Sequence, residues 1–150
     1  MRKRSLLALL ALLFVSLPAV SQTKAAPAGP SLYKRLGGYD AIAAVSDDFI
    51  ARLAADKQLS RFLVGMSDNS KARLRQLVVD QLCAATGGPC IYIGRDMKTA
   101  HKGLGITGSD WDVTVKALVE SLDKFKVPEK EKGELLTIAS RLKTDIVEKP

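Results

Sequence analysis

The chain has 150 residues, 47% hydrophobic and 26% charged, which suits one folded domain with its own core and leaves no room for two. Its formal charge of +7 falls to +4 without residues 1–21. The remaining Lys and Arg are mixed with Asp and Glu, with no clustered basic face and no aromatic readers, so no nucleic-acid partner is expected.

The start, MRKRSLLALLALLFVSLPAVS, has three cations (Arg2, Lys3, Arg4), an apolar run from Leu6 to Leu17, a break at Pro18 and small residues at Ala19-Val20-Ser21. This is the make-up of a secretory signal peptide. The run is shorter than the roughly 20 residues that cross a bilayer. An uncleaved anchor is therefore the weaker reading, and export to the periplasm without a stable membrane anchor is expected. Residues 22–31 (QTKAAPAGPS) lack periodicity and read as a flexible leader, leaving 32–150 as the domain.

After the Gly37-Gly38 break, Ile42, Val45, Phe49 and Leu53 recur at helical spacing, with Ile50 beside them. Leu59, Phe62 and Leu63 suit one short turn of helix. Asn69 or Ser70 is expected to cap a second long helix, with Leu74, Leu77, Val78 and Leu82 apolar, ending at Gly87-Gly88-Pro89. Ser109 or Asp110 is expected to cap a third, in which Trp111, Val115, Leu118, Leu122 and Phe125 keep the period. Pro128 fits a first helical turn, and one last helix then carries Leu135, Ile138, Leu142 and Ile146 inward. No segment alternates with period two, and CIYIG is too short and solitary for a sheet. The fold class is all-α.

Between the second and third long helices, residues 87–108 are mostly irregular. A stretch of about twenty such residues in a helical domain is usually functional or disordered. This one contains the only histidine, His101. Alone, a single histidine is more often structural or exposed than a ligand. Two cysteines and one histidine do not make a zinc set, and there is no HxxxH or HExxH. A hydrolytic Cys–His pair lacks an orienting third group. Haem, by contrast, brings four nitrogens of its own and asks the protein for one axial imidazole and an apolar slot.

Here the chain resembles the group I truncated haemoglobins. The resemblance rests on LYKRLGG (Leu32 to Gly38), DDFIARLAADKQLSRF (Asp47 to Phe62), GGP (Gly87 to Pro89), YIGRDMKTAHKGLGIT (Tyr92 to Thr107) and Val127-Pro128, in that order. It implies a two-over-two helical sandwich around haem b, with His101 as the proximal iron ligand. A ligating imidazole must be neutral, its second nitrogen donating a hydrogen bond that fixes the ring. No CxxCH is present, so covalent thioether attachment is not expected.

The chain departs from the family on the other side of the haem. The tyrosine that normally follows the Phe of DDF is Ile50 here, and the second of two phenylalanines after it becomes Leu63, leaving Phe62. Counting back from Gly-Gly-Pro puts Leu74, Val78 and Leu82 toward the gas. Phe49, Tyr92, Met97 and Ile106 complete the expected haem-binding set, although Tyr92 and Met97 serve equally as ordinary core. Arg95 and Lys98 suit a propionate, and plain surface exposure explains them as well. A pocket of Ile50, Leu63, Leu74 and Val78 has no donor for bound dioxygen, a loss of about 1.5–3 kcal/mol. Carbon monoxide and nitric oxide, less polar when bound, suffer less.

About three extra residues between Phe62 and Leu74 leave this register resting on one end. A shift would bring in Gln76 or Gln81, and Met66 or Lys71 would be candidate sixth ligands if the inserted loop folded inward. In an exported chain, Cys83 and Cys90 favour a disulfide clasping the end of the second helix, with two buried thiols as the alternative. The expectation is an exported haem b protein that binds a diatomic gas (dioxygen, carbon monoxide or nitric oxide) at five-coordinate iron, of oxygen-binding or transport type. A haem enzyme acting on nitric oxide or peroxide, or an electron-transfer protein with an unknown reductase or electron donor, competes with it. A haem-free helical protein is the third possibility.

Overall fold

A computed structural model describes residues 29–149. The expected signal peptide and most of the leader lie outside the described residues. Ser31, assigned to the leader, belongs to the fold: its hydroxyl accepts from Lys34 N and caps the short helix α1, Leu32–Arg35.

Helix α2 spans Gly38–Ala55 and α3 spans Asp68–Ala85, with one 3₁₀ turn at Ser60–Phe62 between them. The short α4, Met97–His101, stands inside the irregular stretch. Helices α5 (Gly108–Lys124), α6 (Glu129–Ser140) and α7 (Lys143–Ile146) complete the chain. No strand occurs among the described residues; an isolated bridge joins Thr107 to Lys149.

The pairs α2–α3 and α5–α6 form the sandwich, and α2 packs on both α3 and α5. Two apolar clusters hold it. Leu32, Val45, Leu118, Leu122 and Leu135 join α1, α2, α5 and α6. Ile42 and Ala43 of α2 meet Val79 and Cys83 of α3, both of the latter fully buried. Full burial of side chains of this size contributes about 1.5–3 kcal/mol each. Arg35 pairs with Glu131 and Glu134, tying α1 to α6, and Asp48 takes Arg52 and Lys124, tying α2 to α5. These cations hold the Asp48 carboxyl well below the usual carboxylate range, Lys124 most strongly.

The helix starts differ from expectation because hydroxyls earlier in the chain reach the orphan N–H groups. Ser67 Oγ accepts from Ser70 N at 3.2 Å, so Ser67, not Asn69 or Ser70, caps α3. Thr107 Oγ1 accepts from Asp110 N at 3.1 Å, and the Asp110 carboxylate accepts from Thr107 N at 2.9 Å. That reciprocal box starts α5 two residues before the expected Ser109. Pro128 sits just outside α6 and gives its carbonyl to Lys132 N at 2.9 Å. Phe125 is 41% exposed beyond the end of α5, and does not continue the inward stripe.

The expected last helix is two. Ser140 Oγ donates to Thr137 O and Thr137 Oγ1 to Gly133 O, both at 2.8 Å, so one hydroxyl takes up a carbonyl of the final turn and another bonds back one turn earlier. Leu142 N then bonds Ala139 O at 2.9 Å, a tightened turn that separates α6 from α7. Leu135 is buried; Ile138, Leu142 and Ile146 are half-buried.

Candidate functional site

The turn after α3 explains Gly-Gly-Pro. Gly87 has φ +81°, Gly88 N donates to Cys83 O at 2.8 Å and Gly87 N to Ala84 O at 3.1 Å, the paired bonds of a left-handed helix stop. Cys83 and Cys90 form a disulfide across this turn, with Cα atoms 5.7 Å apart. A Cβ on Gly88 would lie 2.5 Å from the Tyr33 ring, 2.7 Å from Cys83 Sγ and 2.8 Å from Cys83 O, so the turn, the disulfide and α1 interlock around a bare backbone.

Beyond the disulfide the chain runs irregularly to α4. Tyr92, half-buried, donates its hydroxyl to Arg95 O at 2.7 Å, a local bond within the loop. Burial, with the nearby Asp96 charge, pushes that phenol up. Asp96 caps α4 by accepting from Thr99 N at 2.8 Å, and this backbone bond holds its carboxyl below the usual range.

His101 ends α4 and is half-buried. Its Nδ1 lies 2.8 Å from Met97 O, one turn back. A carbonyl oxygen only accepts, so Nδ1 carries the proton and donates. Nε2 is left with its lone pair and makes no hydrogen bond among the described residues. The turn that follows is bonded to the distant tail. Gly103 N and Gly105 N donate to Glu148 Oε1 and Oε2, each at 2.6 Å. Glu148 N and Lys149 N donate to Ile106 O at 2.9 and 3.1 Å, and Ile106 is buried. Hydrogen bonds from Gly103 and then Gly105 lower the Glu148 carboxyl, aided by the nearby Lys149.

The other expected residues divide in two. Phe49 and Leu82 pack against the α1–α2–α5–α6 core cluster, and Leu82 also lines a small, mostly apolar void of about 20 Å³. Ile50, Phe62, Leu63, Leu74 and Val78 come from α2, the 3₁₀ turn and α3. They belong to neither cluster and stay half-buried. Large apolar side chains left in that state gain about 25 cal/mol for each Å² that an apolar partner covers.

Helix α3 is unbroken from Asp68 to Ala85, so the count back from Gly-Gly-Pro keeps its register. Gln76 is exposed and donates to Tyr39 Oη at 3.0 Å and Asp80 at 2.9 Å, outside the row. Gln81 is half-buried. Lys71 is exposed beside Asp68, and Met66 is half-buried.

The 3₁₀ turn is itself tethered. Arg61 lies over the Phe62 ring at 4.5 Å and pairs with Asp110 at 2.7 Å, while Gln58 donates to Asp110 at 2.8 Å. Burial pushes the Asp110 carboxyl up. Hydrogen bonds from Thr107 and Gln58 and the Arg61 charge outweigh it, and hold the group at about 2. One buried carboxylate thus joins the Phe62 turn to the segment leading away from His101.

The donor set fits haem and fits little else. No group of three or more His, Cys, Asp or Glu suited to a metal ion exists among the described residues, and both cysteines are consumed in the disulfide. What remains is one oriented imidazole with a free nitrogen and a row of uncovered apolar side chains.

A family model for bacterial-like globins matches residues 31–148. The chain is 37% identical over 123 residues to the group 1 truncated hemoglobin GlbN of Mycolicibacterium paratuberculosis, covering 82% of this chain and 87% of that one. To GlbN of a Synechocystis strain it is 33% identical over 113 residues, 73% of this chain and 89% of the relative. Among solved structures, the 2/2 hemoglobin of a Synechococcus strain, in the cyanomet state with covalently attached heme, superposes with a TM-score of 0.73 at 28% identity, over 80% of this chain and 100% of that one. The truncated hemoglobin of Tetrahymena pyriformis in its Fe(III) form gives a TM-score of 0.73 over 79% and 98% of the two chains; at 24% identity it bears on the fold alone.

Proposed function

Because this chain belongs to the group 1 truncated haemoglobins, we propose that it is an exported gas-binding protein that holds haem b through His101 Nε2. Bound there, haem supplies an iron centre with a position open to dioxygen, carbon monoxide or nitric oxide. The observation that carries the reading is the 2.8 Å bond from His101 Nδ1 to Met97 O. It fixes the tautomer and the ring plane, so that Nε2 presents a lone pair without further proton movement.

Ile50, Leu63, Leu74 and Val78 do the remaining work by omission. None has an N–H or O–H, so this wall keeps water out and offers a polar guest no hydrogen bond. Arg95 and Lys98, exposed and without ion-pair partners among the described residues, would supply cations for haem carboxylates. Export is supported by the basic and apolar start of the sequence and by the disulfide, which suits an oxidising compartment.

The test is the absorption spectrum of the haem-loaded full chain. Wild type should show an intense band at about 400 nm and a five-coordinate ferrous form. His101→Ala should lose that ferrous spectrum and regain it with added imidazole. A ferrous spectrum unchanged by His101→Ala would overturn the proposal.

A further inference from the structure

We infer that Glu148 is a positioning residue for His101, fastening the turn that fixes where the imidazole points. Helix α4 has five residues, too few to be stable by itself. The bond to Met97 O orients the ring within α4 but says nothing of how α4 itself stands. That is set at its ends, by the Asp96 cap and by the turn after His101.

The turn has little to hold itself. Gly103 and Gly105 have φ of +84° and +66°, conformations without side-chain support, and Leu104 is 45% exposed. Its internal bond runs from Leu104 N to His101 O at 3.1 Å, so any movement of the turn pulls on the residue that bears the imidazole. Glu148 closes it from outside. Its two oxygens accept from Gly103 N and Gly105 N at 2.6 Å, a charged acceptor spanning two donors that flank Leu104. The carboxylate is itself placed by Glu148 N and Lys149 N on Ile106 O, and by Gly108 N on Lys149 O at 3.0 Å. Helix α7, two residues before Glu148, packs on α4 and brings the tail there.

This inference rests on His101 being the haem ligand, and the experiment separates the two. The full chain is loaded with haem as wild type, Glu148→Gln, Glu148→Ala and His101→Ala. The iron–histidine stretching band of the ligand-free ferrous form is recorded by resonance Raman. Haem transfer to an apoglobin acceptor is timed, and circular dichroism reports the fold. Glu148→Ala should shift or broaden the band and speed haem loss about tenfold. Glu148→Gln, whose amide oxygen keeps one bond while its NH2 faces the second N–H, should fall between. It keeps the test readable if the alanine variant does not fold.

A wild-type band and transfer rate in Glu148→Gln and in any folded Glu148→Ala overturn the inference. So does lowered thermal stability with an unmoved band, which marks a merely structural contact. A band that persists in His101→Ala, or is missing from wild type, defeats the ligand assignment instead.

Discussion

Where α4 and its following turn are held by hydrogen bonds, α2 and α3 are held by buried apolar surface. In α4, Lys98, Thr99 and Ala100 are exposed, and position comes from Asp96 on Thr99, His101 on Met97 and Glu148 on two glycines. Between α2 and α3, Val79 and Cys83 are fully buried against Ile42 and Ala43. The difference matches what is proposed for each. A nitrogen lone pair has to be aimed, which needs directional bonds. Two long helices that only have to stay together are served by packing, which has no direction.

The largest break in that comparison should come at Gly88. Gly88→Ala puts a methyl against Cys83 O, Cys83 Sγ and Tyr33, and should cost about 3 kcal/mol in denaturant unfolding. If the two sides are independently held, the iron–histidine band of the folded variant should not move. A shifted band would show that packing at the α3 latch also aims His101.

Asp110 ties the sides together, so its loss should be felt on both. Asp110→Ala removes the capping box and the partner of Arg61 and should cost about 2–3 kcal/mol. The folded carboxyl sits at about 2 against an ordinary 3.8, so the unfolded chain takes up the proton first. The contribution is therefore complete above about pH 4 and disappears as pH falls through 2. Acid titration of stability should be steeper in wild type than in Asp110→Ala, where Asp48 and Glu148 still contribute; equal slopes would refute the assignment.

The smallest change asked of the fold is at the apolar wall. Ile50→Tyr offers a hydroxyl where the wild type has none, and should slow dioxygen release about tenfold to a hundredfold in flash photolysis or stopped-flow mixing. Carbon monoxide release should change much less. No slowing for dioxygen would mean that residue 50 does not face the gas.

The main helices were legible because Ile42, Val45, Leu118 and Leu122 recur at helical spacing and are buried. His101 stood out as the sole histidine, in a segment whose length needed a reason. Other features depended on partners that periodicity does not contain. On α3 the stripe of larger residues, Leu74, Leu77, Val78 and Leu82, was readable, yet the fully buried positions are the smaller Val79 and Cys83. Which stripe meets the neighbouring helix is decided by the approach of α2, not by residue size. The caps at Ser67 and Thr107 lie two or three residues before the expected ones because several hydroxyls and carboxylates compete at each start. Glu148 had no local signal at all. Its bonds go to backbone N–H groups, which every sequence has, and only the paired Gly103 and Gly105 hinted that the turn needed an outside acceptor.

The clasp on the His101 turn also imposes an order in time. Glu148 lies 45 residues downstream of the Gly103 N–H that it receives. At roughly 5–20 residues per second, the ribosome adds that stretch over several seconds. A nascent chain that already has its histidine therefore still lacks the fastening, and the turn after His101 can close only once residue 148 has been made.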